Sequence, residues 1–269
     1  MSVQPFSRVS TWVESVTFDW APYRKYGVPL QVRKDQHILH EGTELESIYV
    51  VETGRVRLSQ LSPTGEEKTV LVVGSNSIFD EFGALQADRC SVTNAIASSD
   101  ARLMRITMDV FHHLFRTEPS FTQFVCQSMS HKYQLLLSQL TSLSYTSAQY
   151  RIANYLLELA ETYGAPHAGR SQDDVAPGNR FHETVILDTS LQDEASGNKS
   201  NAADGVRISL SFTHQEMANL AGTTRVTVAQ VFRRLETLGV LRKEGAYFYI
   251  SSVSEFRRLL EDPKASHTS

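Results

Sequence analysis

One stretch, Phe212 to Glu236, constrains the fold of this chain more than any other, because it predicts two short helices joined by a tight glycine turn. Thr213 and Glu216 have the spacing of a capping box, in which the threonine hydroxyl accepts a hydrogen bond from the Glu216 amide and the carboxylate accepts one from the Thr213 amide. The first helix should therefore begin at His214. Gly222 should end it, because a left-handed backbone costs least at glycine.

The second helix is expected to begin after Thr223 or Thr224, either of which can cap it. Its apolar side has helical spacing and consists of Val228, Val231, Phe232 and Leu235. The other faces carry side chains that suit the major groove of DNA. Arginine can fork onto guanine, glutamine can pair with adenine, and valine or threonine methyls can meet the thymine methyl. The residues expected at DNA are Thr213, Gln215, Thr223, Thr224, Arg225, Val226, Thr227, Gln230, Arg233, Arg242 and Lys243.

The charge around the second helix favours DNA binding over a helical hairpin that only packs a core. Between Thr224 and Lys243 there are five basic residues against Glu236 alone, and such a patch is what the neutralisation of phosphates requires. The formal net charge of the whole chain is −4. Its source is local, because residues 165–205 hold three basic and seven acidic residues.

The helix pair resembles the winged helix-turn-helix of the Crp/Fnr regulators, whose signature T-x-x-E-[LIM]-A-x-x-x-G-x-[ST]-R-x-T-V-x-x-x-[LF]-x-x-L is matched nearly throughout. After the pair, VLRKEGAYFYI predicts a hairpin about Gly245, the wing, with Arg242 and Lys243 placed for phosphates. The resemblance implies a transcription regulator rather than an enzyme. Its expected partners are double-stranded DNA, a small-molecule effector and RNA polymerase.

Between Leu30 and Arg105, short apolar alternations separated by glycine turns indicate an antiparallel sandwich or barrel. Three segments resemble the jelly-roll sensor of the same family: H-x-E-G at His40 to Gly42, I-Y-V-V-x-x-G-R-V-R-L at Ile48 to Leu58, and A-R-L-M-R-I at Ala101 to Ile106. The expected fold class is therefore α+β, with an N-terminal antiparallel β jelly roll of the cyclic-nucleotide-binding kind, a long dimerisation helix and a C-terminal winged helix-turn-helix.

Three parts of the chain are expected from this organisation. Residues 1–118 hold an N-terminal arm and the effector-sensing jelly roll, residues 119–145 the long helix, and residues 146–269 the DNA-binding domain. Residues 165–205 are rich in Ser, Asp, Asn, Gly and Ala. They are expected to form an insertion, a mobile loop around one extra strand at Thr184 to Leu187.

The long helix, expected from Ser120 to about Ser144, has an apolar seam with alternating steps of three and four residues, the spacing for pairing with another helix. The seam consists of Cys126, Met129, Tyr133, Leu136, Leu140 and Leu143. A helix that faces its own core would show the same stripe. Together with the family resemblance the seam predicts a parallel homodimer, and the hinge to the DNA-binding domain is expected at Ser142 to Ser147.

Cysteine usage and hydropathy limit the cofactors and the location. Cys90 and Cys126 are the two cysteines, and they are too few for the four thiolates of a usual iron–sulfur cluster. No cofactor and no bound metal are therefore expected beside the effector. No run of about 18 apolar residues occurs and no basic segment followed by an apolar stretch opens the chain, so we expect no membrane span and a cytoplasmic location.

The residues that would hold a cyclic nucleotide depart from the family pattern. Cyclic-nucleotide members hold the phosphate with an F-x-G-E segment and with an Arg-Ser or Arg-Thr pair ten residues beyond its Glu, which supply close backbone approach and an arginine fork. This chain reads I-F-D-E at Ile78 to Glu81, and the pair falls on Ser91 and Val92. Asp80 adds bulk and negative charge and the arginine is missing, so cyclic AMP is not the expected effector.

Another branch of the family, regulators of reductive dehalogenation that bind halogenated phenols in an apolar cavity, is similar at FRT, Phe115 to Thr117, and at HKY, His131 to Tyr133. The resemblance gives Lys132 the role of the long-helix lysine near the phenolate. A partly buried ammonium favours an anionic phenolate, whereas a lone helix lysine is commonly a solvated surface residue. Effector contacts are expected from Phe79, Glu81, Lys132, Tyr133, Leu136 and Leu137.

Two alternatives use histidines. A haem could be held by one of His37, His40, His112, His113 and His131. A cupin-like enzyme would need clustered histidines with a carboxylate, and its closest approach is His37 and His40 with Glu41 and Glu44. No second histidine-bearing strand supports that cluster, so the enzyme is disfavoured against the regulator.

Overall fold

The computed structural model describes residues 11–13, 18–166 and 205–261. In these ranges the expected α+β fold is confirmed: a β-sheet domain comes first, a long helix follows, and a helix-turn-helix domain ends the chain. The extra strand expected at Thr184 to Leu187, and nearly all of the expected insertion, lie outside the described residues.

The sensor domain is a sandwich of two sheets. Its strands are Trp12–Val13 (β1), Val28–Val32 (β2), His37–Leu39 (β3), Ser47–Thr53 (β4), Val56–Leu61 (β5), Glu67–Val73 (β6), Ile78–Phe79 (β7), Asn94–Ala97 (β8) and Ala101–Thr107 (β9). One sheet has the order β1-β6-β5-β8-β3 and the other β2-β9-β4-β7. All neighbours pair antiparallel except β1, which pairs parallel with β6. Alternation along β9 buries Leu103 and exposes Arg102, as the period of a half-buried strand requires.

Four helical segments complete the sensor and connect it to the next domain. They are a 3₁₀ helix, Ala21–Tyr26, and the α-helices Glu81–Ala84 (α1), Met108–Thr117 (α2) and Pro119–Tyr145 (α3). Pro119 occupies the first turn of α3, where a missing backbone N–H costs nothing. In the N-terminal arm, the buried Trp20 and the half-buried Phe18 pack against Phe121 and Phe124 of α3.

Helix α3 has two unlike faces. The face toward the sensor is buried and consists of Phe121, Phe124, Val125, Ser128, Lys132, Leu135, Gln139 and Ser142. The opposite face exposes large apolar side chains, namely Tyr133, Leu136, Leu137, Leu140 and Leu143. Most of the predicted seam therefore lies away from the core of its own sensor, whereas Met129 packs partly against that core.

The C-terminal domain packs four helices on a small sheet. The helices are Ala148–Tyr163 (α4), His214–Ala221 (α5), Arg225–Thr237 (α6) and Val253–Glu261 (α7), and the strands are Gly164–Pro166 (β10), Val206–Ile208 (β11), Leu241–Glu244 (β12) and Tyr247–Ile250 (β13). The sheet order is β10-β11-β13-β12. Within the described ranges, no helix is long and apolar enough to cross a membrane.

The break between α3 and α4 is only two residues long. Thr146 follows α3, and Ser147 caps α4 by accepting a hydrogen bond from the Tyr150 amide at 3.2 Å. Ser142, at the start of the expected hinge, is buried inside α3. The residues between the two helices are therefore Thr146 and Ser147, the last two of the expected hinge.

Candidate DNA-reading surface and effector cavity

The turn between α5 and α6 is built from the capping residues that the sequence predicts. Thr213 Oγ1 accepts from the Glu216 amide at 3.1 Å, and Glu216 Oε2 accepts from the Thr213 amide at 2.6 Å. Gly222 closes α5 with a φ of 59°, in the left-handed region that favours glycine. Of the two candidate caps for α6, Thr224 is the cap, because its Oγ1 accepts from the Thr227 amide at 3.2 Å.

Helix α6 separates its core side from its outer side as predicted. Its buried residues are Val228, Val231, Phe232 and Leu235. The outer side forms a shallow concave surface lined by Arg225, Val226, Ala229, Gln230, Arg233, Arg234 and Thr237. Thr227 is half-buried beside the cap, and Thr223 is half-buried in the turn. The arrangement presents three forked cations and one amide on a single helical face, which has the shape and chemistry to enter a major groove.

The wing hairpin adds two exposed cations. Gly245 makes the turn between β12 and β13 with a φ of 59°. Arg242 lies over the Tyr249 ring and is paired with Glu244, Nε to Oε1 at 3.0 Å. Lys243 lies over the Phe248 ring. Because Glu244 partly neutralises Arg242, Lys243 carries the less compensated charge of the wing.

The positive field of this surface is visible at His214, the first residue of α5. Burial lowers the pKa of His214, and the charges of Lys243 and Arg225 lower it further. Lys243 of the wing and Arg225 at the start of α6 therefore both lie close enough to His214 to act on its charge.

Two of the residues expected at DNA lie elsewhere in this conformation. Thr213 and Gln215 line a cleft between the DNA-binding domain and the sensor. Gln215 Nε2 donates to Asn219 Oδ1 at 2.8 Å, and Asn219 Nδ2 donates across the cleft to Glu67 Oε2 at 3.1 Å. Gln215 is therefore connected to sensor strand β6 through Asn219, an arrangement that no local signal in the sequence indicates.

The end of α5 is held by two cations. Lys68, on β6, donates to the carbonyls of Leu220 and Thr69. Arg151, on α4, donates to the carbonyl of Ala221 at 2.8 Å. Cations on the last carbonyls of a helix satisfy acceptors that the helix leaves free. Burial, helped by the charge of Arg151, lowers the pKa of Lys68 to about 8.

A cavity of about 670 Å³ lies between the sensor and α3. Its walls are strands β5 and β6, the turn from β7 into α1, and α3, and its apolar lining includes Leu58, Val70, Leu71, Met129 and Leu136. Four of the expected effector residues line it: Glu81, Lys132, Tyr133 and Leu136. The other two do not line it. Phe79 is fully buried in the sensor core, where its ring stacks on that of Tyr49, and Leu137 lies on the exposed side of α3.

Lys132 is neither a solvated surface residue nor a free cation in the cavity wall. Its Nζ lies 2.5 Å from Glu81 Oε1 and donates to the carbonyl of Ile78 at 2.7 Å. Both partners are buried, and Ser128 Oγ also donates to Glu81 Oε1 at 3.3 Å. A phenolate at Lys132, as the resemblance implies, would therefore compete with Glu81, which already neutralises the ammonium.

Asp80 forms the polar corner of the cavity, a role that the sequence did not assign to it. Its backbone is left-handed, with a φ of 67°, which an L-residue adopts only at a cost. Ser91 Oγ donates to Asp80 Oδ1 at 2.7 Å. Burial raises the pKa of Asp80 to about 6, against the lowering effects of Ser91 and Lys132. Where a phosphate-binding member would place glycine and arginine, this chain therefore places a buried carboxyl group bonded to a hydroxyl.

The cluster of histidines and carboxylates that a cupin-like enzyme would need is not found in the described part of the chain. There, no three His, Cys, Asp or Glu side chains come together to hold a metal ion. The rings of His37 and His40 stack at 4.7 Å on the sensor surface. Cys90 and Cys126 are both free thiols.

Comparison with known proteins identifies the same two parts. Residues 29–118 match the family model of the cyclic nucleotide-binding domain, and residues 150–259 match that of the Crp-like helix-turn-helix domain. The chain is similar to the global nitrogen regulator of Synechococcus elongatus, with 23% identity over 76% of this chain and 78% of the relative. It is also similar to the CRP-like cAMP-activated global transcriptional regulator of Mycobacterium tuberculosis, with 19% identity over 86% and 87%.

Among solved structures, CprK complexed with OCPA has a similar fold, with a TM-score of 0.56, 16% identity, and coverage of 88% of this chain and 92% of that chain. Two of these names state a small molecule, and the molecules differ: cAMP for the regulator of Mycobacterium tuberculosis and OCPA for CprK. The comparisons therefore identify the architecture of this chain and leave the effector to the chemistry of the cavity.

Proposed function

Because this chain belongs to the Crp/Fnr family of transcription regulators, we propose that it is a homodimer that reads DNA with α6 and responds to a small molecule bound between the sensor and α3. The observation that carries the proposal is the exposed face of α6, with Arg225, Gln230 and Arg233, together with the two exposed cations of the wing. Val226 stands where many family members carry a glutamate that accepts from cytosine. Without that acceptor we expect an A·T-rich, palindromic site.

The dimer is proposed from the exposed apolar face of α3. The exposed fractions are 63% for Tyr133, 41% for Leu136, 62% for Leu140 and 44% for Leu143. Four large apolar side chains in one line cost free energy in water unless a second helix covers them. A parallel partner would also place two copies of α6 on a palindrome whose half-sites are about 34 Å apart.

The dimer is tested by charging the seam. Leu136→Glu with Leu140→Glu should give monomers in sedimentation velocity and should abolish binding to the palindrome. Gln127→Glu with Thr141→Glu adds the same charge at exposed positions of α3 outside the seam and should leave the dimer intact. A wild-type monomer at micromolar concentration, with and without effector, would remove the dimer from the proposal.

Strand β6 offers a physical route from effector to DNA. Val70 and Leu71 line the cavity, while Glu67 and Lys68 of the same strand bond to Asn219 and Leu220 of α5. Along a strand these positions are about 10 Å apart. An effector gates DNA binding only to the extent that it binds one arrangement of the domains better than the other.

The coupling is tested with a double-mutant cycle on the Glu67–Asn219 contact. Each of Glu67→Ala and Asn219→Ala should change the effector's influence on DNA affinity, and the double variant should match the single ones. Glu66→Ala, next to the contact on the sensor, is the control. If the effector's influence is unchanged in all of them, β6 does not transmit the signal.

The effector proposed is small and mainly apolar, and aromatic compounds are the first class to screen. The apolar lining and the absence of a phosphate fork at Ser91 and Val92 favour it over a cyclic nucleotide. Thermal shift of the full chain against phenols, cyclic nucleotides and haem is the screen, followed by gel shifts with promoter fragments. Tight binding of cyclic AMP would overturn this effector class while leaving DNA regulation in place.

A further inference from the structure

We infer that Asp80 is the polar anchor of the cavity, and that the effector is a mainly apolar molecule carrying a hydroxyl or N–H group that donates a hydrogen bond to Asp80 Oδ2. The inference rests on the proposed function for the place where the effector binds. It goes beyond that function by naming the chemical group that is recognised and the residue that recognises it.

The geometry of Asp80 leaves one acceptor free. The residue is 7% exposed and lines the cavity. Oδ1 is bonded by Ser91, whereas Oδ2 is buried and has no hydrogen-bond partner among the residues that the structure describes. A buried acceptor without a partner is costly. Because folding has already removed this oxygen from bulk solvent, a donor that enters the cavity gains a hydrogen bond without a further desolvation cost at Asp80.

The neighbours of Asp80 keep Oδ2 an acceptor in either protonation state. Ser91 has one hydroxyl proton but lies within bonding distance of two acceptors, Asp80 Oδ1 at 2.7 Å and the carbonyl of Thr93 at 2.8 Å. Both bonds form at full strength only when Oδ1 carries a proton and donates to Ser91 Oγ. With or without that proton, Oδ2 keeps lone pairs that can accept a hydrogen bond.

The charge balance of the cavity excludes an anion as the favoured ligand. Lys132 and Glu81 neutralise each other at 2.5 Å. The remaining charged group of the lining is Asp80, so the wall is neutral when Asp80 is protonated and carries one negative charge when it is ionised. A carboxylate or phenolate would meet repulsion, while a neutral donor or an ammonium would be attracted. The rest of the lining is mostly apolar and suits a hydrocarbon or aromatic body.

The backbone conformation at Asp80 makes glycine a suitable replacement for testing the carboxyl group. A φ of 67° and a ψ of 6° suit glycine better than aspartate, so Asp80→Gly removes the carboxyl group and relieves strain at the same time. Asp35 has nearly the same φ, 65°, and lies on the exposed surface of the sensor outside the cavity. Asp35→Gly is therefore a matched control for the backbone change.

The test measures by titration calorimetry how tightly the full-length protein binds four probes that share a para-chlorophenyl body. They are para-chlorobenzyl alcohol, para-chlorobenzylamine, para-chlorobenzyl methyl ether and para-chlorobenzoate. In the wild type and in Asp35→Gly, the better of the two donors should bind about ten- to a hundredfold more tightly than the ether, and benzoate should bind most weakly. In Asp80→Gly the donor preference should fall to within about threefold. Comparing the affinities for the alcohol and the amine identifies which donor the site prefers.

Three results would overturn the inference: equal binding of donors and ether by the wild type, a donor preference that survives in Asp80→Gly, or tightest binding of benzoate. Failure of all four probes to bind would also overturn it. If Asp80→Gly does not fold, the wild type alone decides. The alcohol-to-ether ratio should rise between pH 5 and pH 8, because burial raises the pKa of Asp80 to about 6 and ionised Oδ2 is the stronger acceptor.

The predicted pH dependence comes from the titration of Asp80. The groups that face Asp80 are Glu81 on α1, Lys132 on α3, Tyr49 on β4 and the hydroxyl of Ser91. Gel shifts on the same samples separate it from the proposed function, because donor selectivity without DNA binding would refute the regulator alone, and DNA binding without donor selectivity would refute the anchor alone.

Discussion

The outer face of α6 and the cavity beneath α3 use charged residues in opposite ways. On α6, Arg225 and Arg233 are exposed, so their charges cost the fold little and remain available for phosphates and bases. In the cavity, Asp80, Glu81 and Lys132 are buried and held by neighbours. An exposed arginine selects its ligand through its charge and through the donors of its guanidinium group, which solvent leaves available. A buried charge selects through whatever its partners leave unsatisfied, and at this cavity that is an acceptor oxygen.

The contrast between exposed charges on α6 and buried charges in the cavity depends most on the burial of the Lys132–Glu81 pair. Lys132→Met should lower the free energy of unfolding by about 3–5 kcal/mol, because Glu81 would remain as an uncompensated buried charge. Urea denaturation of the full chain measures it. Lys132→Met with Glu81→Gln should recover most of the loss. Arg102→Met, which removes the exposed ion pair with Glu52, should cost less than about 1 kcal/mol. A comparably small loss at Lys132 would mean that water reaches the pair.

The titration of Asp80 gives a second test of burial. Its pKa is raised from 3.8 to about 6, so between these values the folded chain binds more protons than the unfolded chain. The stability that Asp80 contributes is therefore fully present below about pH 4 and lost as pH rises through 6, in total up to about 3 kcal/mol. The difference in unfolding free energy between wild type and Asp80→Gly should fall by that amount between pH 4 and pH 7. A constant difference would place Asp80 in contact with bulk water.

For the exposed charges, the sharper test is whether α6 contacts a base while the wing contacts phosphates. Arg225→Ala should cost roughly 1–3 kcal/mol at one base position and relax the preference there, because a forked base contact is lost. Lys243→Ala should weaken binding to all sequences alike and reduce the salt dependence, because it removes a phosphate contact. Competition gel shifts with specific and random duplexes measure both. Equal losses on the two duplexes for Arg225→Ala would contradict a base-reading role.

The two regions also differ in how far the sequence predicted them. The DNA-reading helices follow from signals within a few residues of each other: the Thr213–Glu216 box, the glycine at 222 and the helical spacing of the buried side of α6. Such signals act through local backbone chemistry, so they can be recognised in the sequence without knowledge of the tertiary structure. The wing and the exposed seam of α3 were predictable for the same reason.

The cavity could not be predicted in the same way, because its decisive contacts join distant parts of the chain. Lys132 and Glu81 are 51 positions apart, and Asp80 meets Ser91 through a turn whose path the sequence does not fix. Sequence reasoning placed Phe79 at the effector, although the pleat of β7 turns its side chain into the core. The contact of Asn219 with Glu67 spans 152 positions and had no signal at all.

The smallest expected effect tests the most local prediction, the choice between two adjacent threonines. Thr224 accepts from the Thr227 amide at 3.2 Å and has the extended backbone of an N-cap, whereas Thr223 is half-buried in the turn and precedes it. Thr224→Ala should lower the free energy of unfolding by about 1 kcal/mol, because an amide at the start of α6 loses its acceptor, and Thr224→Ser should restore most of the loss. Thr223→Ala is the matched control and should cost clearly less in the same denaturation series. If the two alanine variants are equally destabilised, the loss belongs to the packing of the turn rather than to the cap, and the start of α6 is then fixed by tertiary contacts, as the cavity is.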